Sequence, residues 1–267
     1  MHRMPLQDAL EARHSIYHSA VTFMNAFANA GTTSDQFLRE NLEWLGRASN
    51  WSMFSATAAL GVIHKGSLAK AMTVLGPYLP QADGVVSAHS SPYSEGGSLY
   101  ALGLINAGHG QEAVPYLVDK LKNSTDETVQ HGAALGLGMT GLASQDESKY
   151  CLIHAYWRMS LNFISAILRS DVYDVLRDVL FQDSAVAGEA SGYAMGLVML
   201  GSASEKALDE MLQYAHETQH EKIIRGLSIG IAFLMYGKAQ AADDVIEKLL
   251  AEKVGRQDPF AKLQKVD

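Results

Sequence analysis

Residues 97–108, GSLYALGLINAG, contain a small residue, four further residues and then a glycine, Gly103 to Gly108. The same pattern, ending in Gly or Ala, recurs at Ala26–Gly31 (AFANAG), Gly61–Gly66 (GVIHKG), Gly138–Ala143 (GMTGLA), Gly196–Gly201 (GLVMLG) and Ala232–Gly237 (AFLMYG). Successive first anchors are 35, 42, 35, 58 and 36 residues apart. A repeat of this length is one helical hairpin, which cannot bury its apolar face alone and must stack on its neighbours. The fold class expected is therefore all-α: an α-solenoid of about six helical hairpins, ARM/HEAT-like. Such stacks are surfaces for other proteins more often than they are enzymes.

Each unit reads as a helix A, a tight turn at the second small residue, and a helix B. The A segments are small and apolar (GSLYALGLINAG, HGAALGLGMTG, GEASGYAMGLVMLG), whereas the B segments QEAVPYLVDKL, SEKALDEMLQYA and KAQAADDVIEKLL space apolar residues three and four apart and keep charges on the other face. Gly61, Gly103, Gly138 and Gly196 fall inside A helices, where each costs roughly 1 kcal/mol relative to Ala. Close approach of neighbouring helix backbones would offset that cost. The second glycine has another task, as the left-handed C′ residue that stops helix A. In the first unit, Thr32, Thr33 and Ser34 offer N-caps for DQFLRENLEWLGRA.

Two steps are long. The 42-residue step fits a polar surface loop over residues 81–97. The 58-residue step places its excess within 146–170, DESKYCLIHAYWRMSLNFISAILRS, between helix A of the fourth unit and its helix B, DVYDVLRDVL. This segment is either an insertion that contacts a partner or a gene-model artefact such as an unspliced intron. Apolar bulk interrupting a turn that is short elsewhere favours the artefact.

Composition narrows the function classes. Net charge is −8 and no dense Lys/Arg stripe exists, so nucleic acid and anionic membranes are not expected partners. A single cysteine, Cys151, excludes a disulfide framework. MHRMPLQDALEARHS lacks the apolar core of a secretory signal, and the most apolar window, 151–168, is broken by His154, Arg158 and Asn162. The triplets Asn50-Trp51-Ser52 and Asn123-Ser124-Thr125 read as chance glycosylation matches.

One chemical motif stands out. His216, Glu217 and His220 spell HExxH, which on one helix would give two zinc ligands and a general base. The repeat register argues against it. Sixteen residues before the anchors at 138, 196 and 232 stand Lys122, Leu180 and His216, all at inter-unit turns, so the motif is expected to straddle a turn. Ile223 and Gly226 occupy the places where an extended HExxHxxGxxH motif has Gly and His, and Glu247 belongs to a B helix. No cofactor, metal or catalytic residue is expected, and a zinc hydrolase remains the remote alternative. His64, His109 and His131 are expected to be local hydrogen-bond partners at helix ends.

The A segments resemble proteasome/cyclosome (PC) repeats. Longer runs, 31–66, 95–110 and 217–237, resemble the larger of the two PC-repeat scaffolds of the proteasome regulatory particle, over roughly 16–253. The ends, 1–15 and 254–267, do not share that resemblance. It implies an arc of a closed toroid, a non-catalytic scaffold in ubiquitin-dependent degradation, partners among the lid and base subunits, and a location in cytoplasm and nucleus. Family members are far longer, so the chain reads as a fragment. Direct ubiquitin binding stays open, as does a generic adaptor role like that of the anaphase-promoting-complex relative.

Overall fold

The computed structural model describes residues 15–47, 49–80, 91–109, 112–142 and 172–247. Its A helices are α1 Ser15–Ala28, α3 Asn50–Ile63, α5 Pro92–Ile105, α7 Glu127–Thr140, α9 Ala185–Val198 and α11 Glu221–Leu234. Each is 14 residues long and begins eleven residues before its first anchor. Between them run the B elements: α2 Gln36–Gly46, a short 3-10 turn Leu68–Lys70 leading into α4 Ala71–Leu75, α6 Val114–Asn123, helical residues 172–180 (α8), α10 Glu205–Glu217, and helical residues 239–247 (α12). The described residues contain helices and turns with no strand. The all-α solenoid of stacked hairpins read from the repeat is thus the observed fold.

The A helices start where they do because of a cap that recurs with the repeat. Ser49, Ser91, Asp126 and Ser184 stand one residue before α3, α5, α7 and α9, and each side chain accepts from a backbone N–H of the first turn: Ser52, Ser94, Thr128 with Val129, and Ala187. These N–H groups have no intrahelical partner, and a short polar side chain satisfies them. His220 occupies the same place before α11 and makes no such bond. Ser91-Pro92 also corrects the expected loop. Residues 92–97 are the first turns of α5, because Ser at the N-cap and Pro at N1 start a helix. In the first unit the N-cap of α2 is Asp35, one place beyond the expected Thr32–Ser34. Thr33 is instead drawn into positive φ by the turn it shares with Gly31.

The layers follow from residue size. A helices pack on A helices in chain order, α1 on α3, α3 on α5, α5 on α7, α7 on α9 and α9 on α11, while α2, α4, α6 and α10 each lean on the following A helix. B helices bury one stripe, Leu38, Leu42 and Leu45 in α2 or Leu117 and Leu121 in α6, and leave the rest to water. A helices are covered on both sides, which is why α5 buries Ser94, Gly96, Gly97 and Ser98 along with Leu99 and Leu102. At their N-terminal ends three successive units meet. Trp51 of α3 packs edge-on against Tyr93 of α5 at 5.2 Å and His131 of α7 at 5.2 Å, and Phe54 lies 5.6 Å from His131. Side chains of α3 and α7 meet across α5 where Gly96 and Gly97 carry none, Gly96 lying against both Phe54 and Thr128.

The non-matching ends at 1–15 and 254–267 lie outside the described residues, apart from Ser15. So do Ala143 and the segment 146–170. No described helix is long and apolar enough to cross a membrane.

Two substitutions separate packing from propensity. A Cβ added to Gly103 would fall on the backbone of Gly136, although Ala is the better helix former by about 1 kcal/mol. Gly103→Ala is expected to lower unfolding stability in urea by about 2 kcal/mol or more, since backbone cannot yield as a side chain does. Gly108 has open space around it but φ +72, so Gly108→Ala is expected to cost about 1 kcal/mol through backbone strain alone.

Candidate functional site

The surface available for function is built by the seam between A helices. Each helix offers its first anchor to the helix that follows. A Cβ placed on Gly61 would lie 2.6 Å from Ala101 Cα, and one on Gly138 2.7 Å from Ala194 Cα; Gly103 faces Gly136, and Gly196 faces Gly230. Each receiving residue stands two places before the next anchor. A second contact lies further along each helix: Gly132 on the carbonyl of Gly96, Gly226 on that of Glu189, and Gly192 on the backbone of Gly226 and Leu227. Small residues four apart thus line both sides of the seam, at Gly132–Gly136, Gly192–Gly196 and Gly226–Gly230. Ala26 is buried on this seam, whereas Ala232 is exposed at its far end.

The second anchors also join units. Gly31, Gly66, Gly108, Gly201 and Gly237 all have positive φ, between 68 and 82°. Gly66, Gly108, Gly201 and Gly237 lie two residues past the C-caps His64, Asn106, Met199 and Met235, so they redirect the chain after the helix has ended. The amides of Gly31, Gly66, Gly108 and Gly201 do not close their own helices. Gly31 N–H donates to Val62 O at 3.1 Å, Gly66 to Ile105 O at 3.0 Å, Gly108 to Met139 O at 3.1 Å and Gly201 to Phe233 O at 3.0 Å. Thr33 and Ala203, themselves at positive φ, add bonds to Ile63 O and Leu234 O. The last-turn carbonyls of one helix, which have no intrahelical donor, are capped by the turn of the unit before it. Spacing assigns these glycines a local task and misses the bond between units, because a donor's acceptor 31 to 39 residues away leaves no trace in it.

Polar side chains clamp the turns. Asp35 accepts from Arg39 and pairs with His64 Nε2 at 2.8 Å, tying the start of α2 to the end of α3. Burial pushes its carboxyl up, but the bonds from His64 and Arg39 outweigh it and hold the pKa below the usual carboxylate range. Glu189 of α9 receives Nε (2.9 Å) and a terminal nitrogen of Arg225 on α11, and Tyr193 donates to the same oxygen. His131 sits in the second turn of α7 and bonds Val186 O at 2.8 Å, 55 residues away. Burial lowers its pKa. His64 and His131 therefore bridge units rather than serve local turns; only His109 bonds nearby, to Ala107 O.

The HExxH residues are divided by the same architecture. His216 and Glu217 end α10, Thr218 breaks the helix as its C-cap, and His220 is the extended N-cap of α11. The three do not share one helical face. His220 Nε2 lies 3.6 Å from Asp183 Oδ2, and Asp183 Oδ1 accepts from the Thr218 hydroxyl (2.7 Å) and the Tyr214 hydroxyl (3.0 Å). The Thr218 bond chiefly lowers the Asp183 pKa. These groups join two successive inter-unit turns. Among the described residues no group of three or more His, Cys, Asp or Glu could hold a metal ion.

Known proteins resemble this chain in sequence. The proteasome/cyclosome repeat family matches residues 190–224, one 35-residue period running from the middle of α9 through α10 into α11. Over 243 residues, 91% of this chain, the sequence is 54% identical to the 26S proteasome regulatory subunit rpn2 of Schizosaccharomyces pombe. It is 49% identical over 255 residues, 96% of the chain, to the 26S proteasome non-ATPase regulatory subunit 1 homolog B of Arabidopsis thaliana, and 46% over 241 residues, 90% of the chain, to the 26S proteasome non-ATPase regulatory subunit 1 of Drosophila melanogaster. The chain spans about a fifth of the length of these relatives, 21 to 22%. The resemblance read from the sequence is shown at the level of this regulatory subunit, along nine tenths of the chain.

The Asp35 clamp gives a signed pH dependence. A carboxyl whose folded pKa is depressed contributes stability above its unfolded pKa, about 3.9, and loses it as pH falls through the folded value. Asp35→Asn is expected to unfold more easily at pH 7 by about 1–2 kcal/mol. That difference should shrink below about pH 4, where the native carboxylate is protonated too. Thermal melts of both proteins across this range check it.

Proposed function

We propose that this chain is a stretch of a non-catalytic scaffold in the regulatory particle of the 26S proteasome, where it holds other lid and base subunits in fixed relative positions for ubiquitin-dependent degradation. The observation that carries the reading is identity of 46 to 54% over nine tenths of the chain with proteins named as regulatory subunits of that assembly.

The geometry supports it. A row of A helices joined backbone to backbone has little freedom to slide, because each unit is gripped by buried small residues and by N–H bonds across the seam. Closely packed interiors transmit strain and deform little. Such a stack fixes the distance between whatever binds its outer B helices and its turns. Its mechanism is positional: it raises the effective concentration of bound partners for one another. Catalysis has no part in the reading, since HExxH is split between two helices and its second histidine belongs to a turn clamp. The compartments that go with the reading are cytoplasm and nucleus.

Purification of the tagged full-length protein from its own cells, followed by mass spectrometry, tests it. Regulatory-particle subunits are expected in near-stoichiometric amounts. Their absence, with anaphase-promoting-complex subunits in their place, would transfer the chain to the other class of PC-repeat adaptor; absence of both would end the reading.

A further inference from the structure

Neighbouring B helices are bridged at one interface and open at another. Across α8 and α10, the Tyr173 hydroxyl donates to Glu210 Oε2 at 3.1 Å, and Arg177 stands 3.8 Å from Glu210 Oε1. Counted back from the A helix that follows, the repeat puts Pro115 of α6 where α8 has Tyr173, Asp119 where it has Arg177, and Asp174 of α8 where α10 has Glu210. Pro115 carries no side-chain donor and Asp119 has the same charge as Asp174, so α6 cannot repeat the bridge. A groove of about 390 Å³ remains between α6 and α8, walled by Pro115 and Val118 on one side and by Val172 and Val175 on the other. Its charged rim is Lys122, Asp174 and Asp178, one ammonium against two carboxylates. Among the described residues both carboxylates pair only with Arg177 of their own helix, at 2.9 and 3.9 Å. What the groove lacks, compared with the next interface, is an aromatic body with a cation beside it.

We propose that the chain fills this groove itself, with Trp157 and Arg158 of the segment that joins α7 to α8. That segment, 143–171, lies outside the described residues, and its attachment and chemistry carry the proposal. It runs for 29 residues and ends at Val172, a wall of the groove, so its effective concentration there exceeds that of a separate molecule. Thirteen residues separate Arg158 from Val172. At up to about 3.3–3.6 Å each, they reach any part of the groove. Tyr156-Trp157-Arg158 sets aromatic side chains beside a guanidinium, the chemistry that Tyr173 and Arg177 supply one interface later. The other internal stretches outside the described residues, Ala48, 81–90 and 110–111, hold no Phe, Tyr, Trp, Lys or Arg. Docked in this way, the indole meets Val118 and Val175, and the guanidinium pairs with Asp178, the more exposed of the two rim carboxylates. The segment then removes this stretch of the outer B-helix face from what other proteins can reach.

Limited chymotrypsin digestion of the full 267-residue chain, with the cut after Trp157 timed by mass spectrometry, tests this. Because cleavage follows the undocked population, the cut is expected to be about tenfold slower than in a synthetic peptide of residues 150–165, at every protein concentration. Pro115→Tyr combined with Asp119→Arg rebuilds between α6 and α8 the bridge that joins α8 to α10. Both positions are exposed, so the melting temperature should not fall, while cleavage after Trp157 should rise to the peptide's rate. Arg158→Glu and Asp178→Lys, each compared with the peptide of matching sequence, are expected to speed the cut singly and to restore protection together. A wild-type chain cut as fast as the peptide overturns the proposal and leaves the groove to another protein. Protection that grows with protein concentration overturns it in favour of a second copy. Protection that survives Pro115→Tyr with Asp119→Arg, or a charge exchange that restores nothing, places the segment elsewhere and overturns it too.

Discussion

Backbone-to-backbone contact between successive A helices is the constraint from which the rest of this structure follows. At Gly103 on Gly136, Gly132 on Gly96, Gly196 on Gly230 and Gly226 on Glu189 there is no room for a single added carbon. Helices normally meet through side chains at interaxial distances of 8–10 Å. Removing those side chains draws the helices together and sacrifices helix propensity, about 1 kcal/mol for each glycine. What is gained is contact along two rows per interface, together with geometry tight enough for an amide at the end of one unit to reach a carbonyl of the next.

That reach accounts for the turns. A second anchor at positive φ is needed because the chain must swing its N–H outward, past its own helix, toward the neighbour's last turn. Glycine does this without Cβ strain. Thr33, Asp183 and Ala203 adopt positive φ without that advantage. Two of them, Thr33 and Ala203, donate to the same neighbouring turn, and Asp183 gathers Thr218, Tyr214 and His220. Strain at a few positions is held in place by bonds that cross between units.

The polar clamps take their places from this frame. Glu189 lies in the seam at the point where Gly226 comes closest, which brings Arg225 of the same helix within bonding distance. His131 reaches Val186 because α7 and α9 are already close. HExxH is the instructive case. Five residues of pattern suggested a metal site, while the period of the repeat placed a helix boundary inside it, and α10 does end at Glu217 with His220 as the next N-cap. The longer periodicity is the better guide, because a repeat unit's boundaries are imposed by every neighbour while a short motif is constrained only by itself.

Repeat length, the alternation of small-residue and amphipathic helices, and the position of each A helix could be read from the chain alone, since they depend on local propensity and on spacing. The recurring caps Ser49, Ser91, Asp126 and Ser184, twelve residues before each first anchor, were legible in principle. So were the small pairs Gly132–Gly136, Gly192–Gly196 and Gly226–Gly230. Only the tertiary structure decided where the second-anchor amides find their acceptors, which histidines bridge units, and how Trp51 comes to touch His131 two helices away. The reason is that a hydrogen bond or a contact across the seam depends on the relative placement of two helices, and no property of either segment by itself contains that distance.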